Sequence, residues 1–121
     1  MHKQITWLAR LRIKPDCREA FIRLTREMVA ATKEEPGALI YERYLGEDAD
    51  TVHVLERYID SAAAVAHLNT FANKFGKRFG GLVEREKFVL FGEPSDELIA
   101  LLEDFGAEYA STLDGFSRVD P

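Results

Sequence analysis

Ala38-Leu39-Ile40-Tyr41-Glu42-Arg43-Tyr44-Leu45, then Gly46-Glu47-Asp48-Ala49-Asp50, then Thr51-Val52-His53-Val54-Leu55-Glu56-Arg57-Tyr58-Ile59 is the stretch whose reading decides the fold. In its first part Leu39, Tyr41 and Arg43 alternate with Ile40, Glu42 and Tyr44, and two such runs around a polar turn read as an antiparallel hairpin. Upstream, Ala20, Phe21, Leu24, Met28 and Ala31 recur at the three-and-four spacing of an amphipathic helix. Asp16 is the expected N-cap of that helix, with Glu19 three residues on in a capping box. Glu34-Glu35-Pro36-Gly37 ends it, because proline cannot continue the ladder and glycine accepts positive φ. Further out, Ile5, Trp7, Ala9, Leu11 and Ile13 alternate with Thr6, Leu8, Arg10 and Arg12, the period of a half-buried strand.

Downstream, Asp60 or Ser61 caps a second helix striped by Val65, Leu68, Ala72, Phe75 and Phe79 and broken at Gly80-Gly81. Phe88 to Phe91 reads as a short buried strand. After Ser95, Leu98, Leu101, Leu102, Phe105 and Tyr109 predict a third helix running toward Gly115. The order is β-α-β-β-α-β with one helix appended. Right-handed crossovers then put the first two helices on one face of a four-stranded antiparallel sheet, a ferredoxin-like α+β fold. Strands one and three carry apolar residues on both registers (Trp7 and Leu8, Val54 and Leu55, Tyr58 and Ile59), so the uncovered face is expected to meet a second copy in a homodimer.

The chain has 121 residues, 46% hydrophobic and 31% charged, which is enough for one core and not for two domains. Sixteen Lys and Arg against 21 Asp and Glu give a net charge of -5, which argues against nucleic acid and against anionic membrane surfaces. No apolar run is long enough to cross a bilayer. A single cysteine and the start Met-His-Lys-Gln-Ile-Thr-Trp predict a reduced, cytoplasmic protein without a signal peptide.

Cys17 with His2, His53 and His67, far apart in sequence, offers no structural zinc spacing, and no glycine-rich nucleotide loop follows a strand. Cys17 itself reads as a bystander rather than a nucleophile. His67 is the best single candidate. It lies beside the stripe of the second helix, in line with Phe71 and Arg78, where an imidazole serves as a general base at a pocket border or simply packs half-exposed. Trp7, Tyr41, Tyr44 and Tyr58 fall on strands and either floor a pocket for a flat apolar molecule or belong to core and interface. Arg43 and Arg57, near Glu42 and Glu56, read as cross-strand pairs.

Glu35-Pro36-Gly37-Ala38-Leu39-Ile40-Tyr41-Glu42, followed by Glu56-Arg57-Tyr58-Ile59-Asp60-Ser61-Ala62-Ala63-Ala64-Val65-Ala66-His67, resembles the antibiotic biosynthesis monooxygenase superfamily. The likeness runs over roughly residues 3 to 92, so residues 1–94 are taken as the family-like domain and 95–121 as its helical extension. It implies a dimeric α/β barrel of ferredoxin-like subunits. Members of the haem-degrading branch use an asparagine, a tryptophan and an axial histidine where this chain has Ala9, His67 and Lys77, which disfavours that branch. The resemblance implies a small monooxygenase with no cofactor of its own and with dioxygen as co-substrate, acting on an electron-rich phenol, hydroquinone or polyketide-like aromatic. His67 would be the catalytic base, and Trp7, Tyr41, Tyr58 and Phe71 would bind the substrate. A non-catalytic ligand-binding or stress-response dimer, or an isomerase or decarboxylase of a small cyclic acid, are the alternatives on the same barrel.

Overall fold

A computed structural model describes residues 3–119; His2 lies outside them. The elements run β1 (Ile5–Ile13), α1 (Arg18–Lys33), β2 (Ala38–Leu45), β3 (Thr51–Tyr58), α2 (Ser61–Lys74), α3 (Gly76–Leu82), β4 (Val83–Phe91), α4 (Asp96–Leu101) and β5 (Glu108–Ala110). The sheet order is β2-β3-β1-β4-β5. The first four strands are antiparallel, with β1 central, in the ferredoxin-like arrangement. No helix among the described residues is long and apolar enough to cross a membrane.

The face that receives the helices carries Ile5, Trp7, Leu11 and Ile13 from β1 and Val52, Val54, Glu56 and Tyr58 from β3, all buried. Two apolar clusters form on it. One joins Trp7, Tyr58 and Leu90 to Val65 and Leu68 of α2. The other joins Leu11, Val52 and Val54 to Phe21, Leu24 and Met28 of α1 and Phe79 of α3. Ala9 touches both and is the smallest side chain on the inner register of β1, so the clusters part above it.

Several local expectations change. The helix of 18–33 is capped at Cys17 without a side-chain bond, because Asp16 sits in the left-handed region at φ 64° and turns away from the capping geometry. Gly37 does not have positive φ. Its lack of a side chain matters for space, since a Cβ there would lie 2.6 Å from the Ala63 Cβ on α2. Asp60 is the cap of α2, accepting from the Ala63 N–H at 2.8 Å. The second helix breaks at Phe75 rather than at Gly80-Gly81, which lie inside α3.

The expected third helix is a single six-residue piece capped by Ser95. Gly106, at φ 65°, turns the chain out of it after a short 3-10 turn. Residues 108–110 then add a fifth strand, parallel to β4, to what was read as a four-stranded sheet. Residues beyond 110 fold back over one end of the sheet's outer face, where Arg57 donates to the Ser117 hydroxyl at 2.7 Å and Gln4 to the Val119 carbonyl at 2.9 Å.

The fourth strand begins at Val83, not at Phe88. Its register against β1 slips between Arg10 and Leu11, so that Arg10 faces Lys87 and Leu11 faces Arg85. Glu86 is the extra residue of a β-bulge, and its carboxylate turns outward to Arg10 and Arg12 at 3.2 and 3.0 Å. Arg85 thereby takes the inner register beside Leu11.

Candidate functional site

Where the two clusters part, a cleft of about 50 Å³ opens between the sheet and the helices, with Ala9 in its lining. Trp7, Tyr41, His67 and Phe71 line it. Tyr58 does not: it is fully buried behind the wall and gives its hydroxyl to Glu56 at 2.5 Å. Such a space holds a few water molecules, and a six-membered ring enters only when a wall residue such as Phe71 or Phe105 shifts.

Each polar group is placed by an identifiable element. Glu56 lies on the inner register of β3, between Trp7 on β1 and Tyr41 on β2. Its second oxygen accepts from Arg43 at 2.9 Å. Both side chains of this pair are largely buried, an arrangement that persists only when the charges neutralise each other and the remaining lone pairs are bonded. Here Tyr58 supplies that further bond. The Arg43 guanidinium also lies 3.5 Å above the Tyr41 ring, a cation–π contact in a desolvated setting.

His67 is delivered by α2, whose buried stripe includes Ala64, Val65 and Leu68. It is 5% exposed, so it is a buried histidine and not a half-exposed one. Its Nδ1 lies 2.9 Å from Glu35, in the turn after α1, and its Nε2 lies 3.5 Å from Glu56. The ring thus bridges two carboxylates, with its Nε2 edge toward Glu56 on the cleft wall. The two carboxylates stand on opposite edges of the ring and do not converge on one point. Among the described residues no group of three or more His, Cys, Asp and Glu side chains is disposed to hold a metal ion.

The tyrosines here are proton donors. Burial pushes the Tyr41 phenol up to about 12, partly opposed by the Arg43 charge. Burial and then the Glu56 charge hold Tyr58 well above the ordinary phenol range, so its bond to Glu56 persists. The cleft thus holds one imidazole between two carboxylates, a carboxylate whose lone pairs are engaged, and a neutral phenol able to donate.

Glu35, Glu56, Arg43 and Arg85 were not singled out as site residues in the sequence. Glu56 did leave a signal: it is the one charged residue in the otherwise apolar register Val52, Val54, Tyr58. Phe105, from the C-terminal extension, also lines the cleft. Arg78 lies away from His67, paired with Glu27 on the outer side of α1.

The family model described as antibiotic biosynthesis monooxygenase matches residues 4–84. Among solved structures the chain is similar to MupZ from Pseudomonas fluorescens, at 24% identity and a TM-score of 0.83 over 98% of this chain and 91% of that one. PA3566 from Pseudomonas aeruginosa aligns at 26% identity and a TM-score of 0.67, over 78% of this chain and 98% of that one. A putative antibiotic biosynthesis monooxygenase from Bacteroides thetaiotaomicron VPI-5482 aligns at 25% identity and a TM-score of 0.64, over 69% and 84%. No curated protein matches the chain. The likeness to MupZ speaks for the fold, and it extends beyond the family match into the C-terminal segment.

Proposed function

The chain belongs to the antibiotic biosynthesis monooxygenase family, and from that premise we propose that it oxygenates a small electron-rich phenol or hydroquinone, using dioxygen and no metal or flavin of its own. The observation that carries this reading is the buried imidazole of His67 on the cleft wall, held by Glu35 on one nitrogen and facing Glu56 with the other. The phenol O–H gives its proton to His67 Nε2, and the adjacent carboxylates stabilise the imidazolium. The phenolate passes one electron to dioxygen, and the phenoxyl radical and superoxide recombine to a ring peroxide. Loss of water then leaves a quinone: one oxygen atom enters the product, the other leaves as water, and the substrate supplies both electrons. Tyr41 donates a hydrogen bond to the oxygen that gains charge. The small cleft favours a single ring over a polyketide-sized system.

The same reading includes a homodimer built on the outer sheet face, and a reducing, cytoplasmic setting that suits the free thiol of Cys17. The test is oxygen uptake with a panel of hydroquinones and phenols. Turnover with at least one member is expected, with kcat lowered about a hundredfold or more in His67→Gln, the range lost with a general base. Tight binding without turnover by any of them would identify a non-catalytic ligand-binding protein. Conversion without oxygen consumption would identify an isomerase or decarboxylase.

A further inference from the structure

The two arginines of the cleft differ in their partners. Arg43 is matched by Glu56, as Arg18 is by Asp50, Arg78 by Glu27, and Arg10 and Arg12 by Glu86. Arg85, like Arg23, Arg26, Arg57 and Arg118, makes no ion pair with an Asp or Glu among the described residues, and of these it alone lines the cleft. The β-bulge at Glu86 puts it there, by keeping Arg85 on the inner register while Glu86 goes outward. Although the residue as a whole remains exposed, its guanidinium lies over the Phe105 ring at 4.2 Å and near Phe79 at 5.6 Å. Burial against these walls lowers its pKa from the ordinary value, and no carboxylate raises it back. In a chain of net charge -5, Arg85 is a cation on the cleft wall with no carboxylate of its own.

We infer that the substrate carries a carboxylate, received by Arg85 at the end of the cleft away from Glu56 and His67. The inference rests on the reading of this cleft as the substrate site. A single unpaired guanidinium matches one negative charge, whereas a phosphate brings close to two. The planar fork fits a carboxylate with two parallel hydrogen bonds, and the aromatic ring beneath it fixes the plane. Along the sheet, Arg85 is level with Leu11 and Glu56 with Trp7, four residues along β1 and two strands apart. The backbones at the two ends are therefore roughly 16 Å apart by strand geometry. A single-ring hydroxy acid with its hydroxyl remote from its carboxylate spans the space between the inward-reaching side chains.

The experiment compares 2,5-dihydroxyphenylacetic acid with its methyl ester, which keeps the ring and removes the charge. Trp7, the only tryptophan and part of the cleft wall, reports occupancy by its fluorescence. In the native protein the acid should bind at least tenfold more tightly than the ester, the scale of one charge-assisted hydrogen-bonded pair. Arg85→Gln should abolish that ratio by weakening the acid alone, and Arg85→Lys should retain part of it. Equal affinities in the native protein, an unchanged ratio in Arg85→Gln, or failure of the acid to bind would overturn the inference. Acid binding that depends on Arg85 but is accompanied by no oxygen uptake would sink the oxygenase reading and leave this one standing. Oxygen uptake equal for acid and ester in both native protein and Arg85→Gln would do the reverse.

Discussion

At the residue scale, the unusual feature of the cleft and the wall behind it is how their protons are held. Tyr41 and Tyr58 keep theirs far into the alkaline range, and this has a consequence for stability. Below pH about 10 both the folded and the unfolded chain carry the Tyr41 proton, and the shift costs nothing. Between the ordinary value of 10.0 and about 12, the unfolded chain releases the proton and the folded chain keeps it, so rising pH favours unfolding. The slope is about 1.4 kcal/mol per pH unit for one such group. Urea midpoints measured from pH 9 to 12 should fall accordingly, and Tyr41→Phe should flatten that fall by about one group's share. An alkaline slope identical in the variant would show that Tyr41 titrates normally. The same scale explains why part of the site was hidden in the sequence. Glu56 and Arg43 are 13 residues apart and look like a solvated cross-strand pair until the register places both on the face that the helices cover. His67 and Glu35 are 32 apart, and nothing local joins them.

At the scale of elements, Gly37 is where β2 begins and α2 is seated. With 2.6 Å between a Cβ at 37 and Ala63 Cβ, Gly37→Ala forces the helix off the sheet or the strand out of register. A loss of about 1–3 kcal/mol is expected, the usual range for overpacking, read as a lower urea midpoint at unchanged slope. The pattern of strands and helices was legible wherever period and phase held: the hairpin, β1 and the helix of 18–33 follow directly from their stripes. It failed at β4, where the bulge slips the phase between Val83, Arg85 and Phe88, Leu90, and four charged residues in succession, Glu84 to Lys87, conceal the strand. It failed again after residue 101, because the apolar positions 102, 105 and 109 fit a helix equally well until Gly106 adopts its left-handed turn.

At the scale of the molecule, the outer sheet face is divided. Arg10, Arg12 and Glu86 form ion pairs over one half, while Leu8, 46% exposed, and Phe91 lie on the other beside the returning C-terminal segment. Phe116 and Leu113 of that segment project outward. A homodimer would cover this apolar half, with the segment reaching across to the second copy. Sedimentation at micromolar concentration should give twice the chain mass, and Leu8→Arg should give a folded monomer. A native monomer would remove the dimer from the reading. Both expectations, the ferredoxin-like layout and the two-sided sheet, come from strand alternation; the C-terminal segment that folds back over the outer face does not, since nothing in its composition says where it turns back.

One joint links the cleft's chemistry to its mechanical support. Glu35, which holds the imidazole of His67, stands two residues before Gly37, which seats the helix that carries it. Loosening this joint releases the imidazole from its carboxylate without opening the sheet, whose strands belong to the most protected part of such a fold. Heat should therefore act in two stages, with the proposed oxygen uptake lost at a lower temperature than the circular dichroism signal, and amide exchange around residues 35–37 should mark the earlier event.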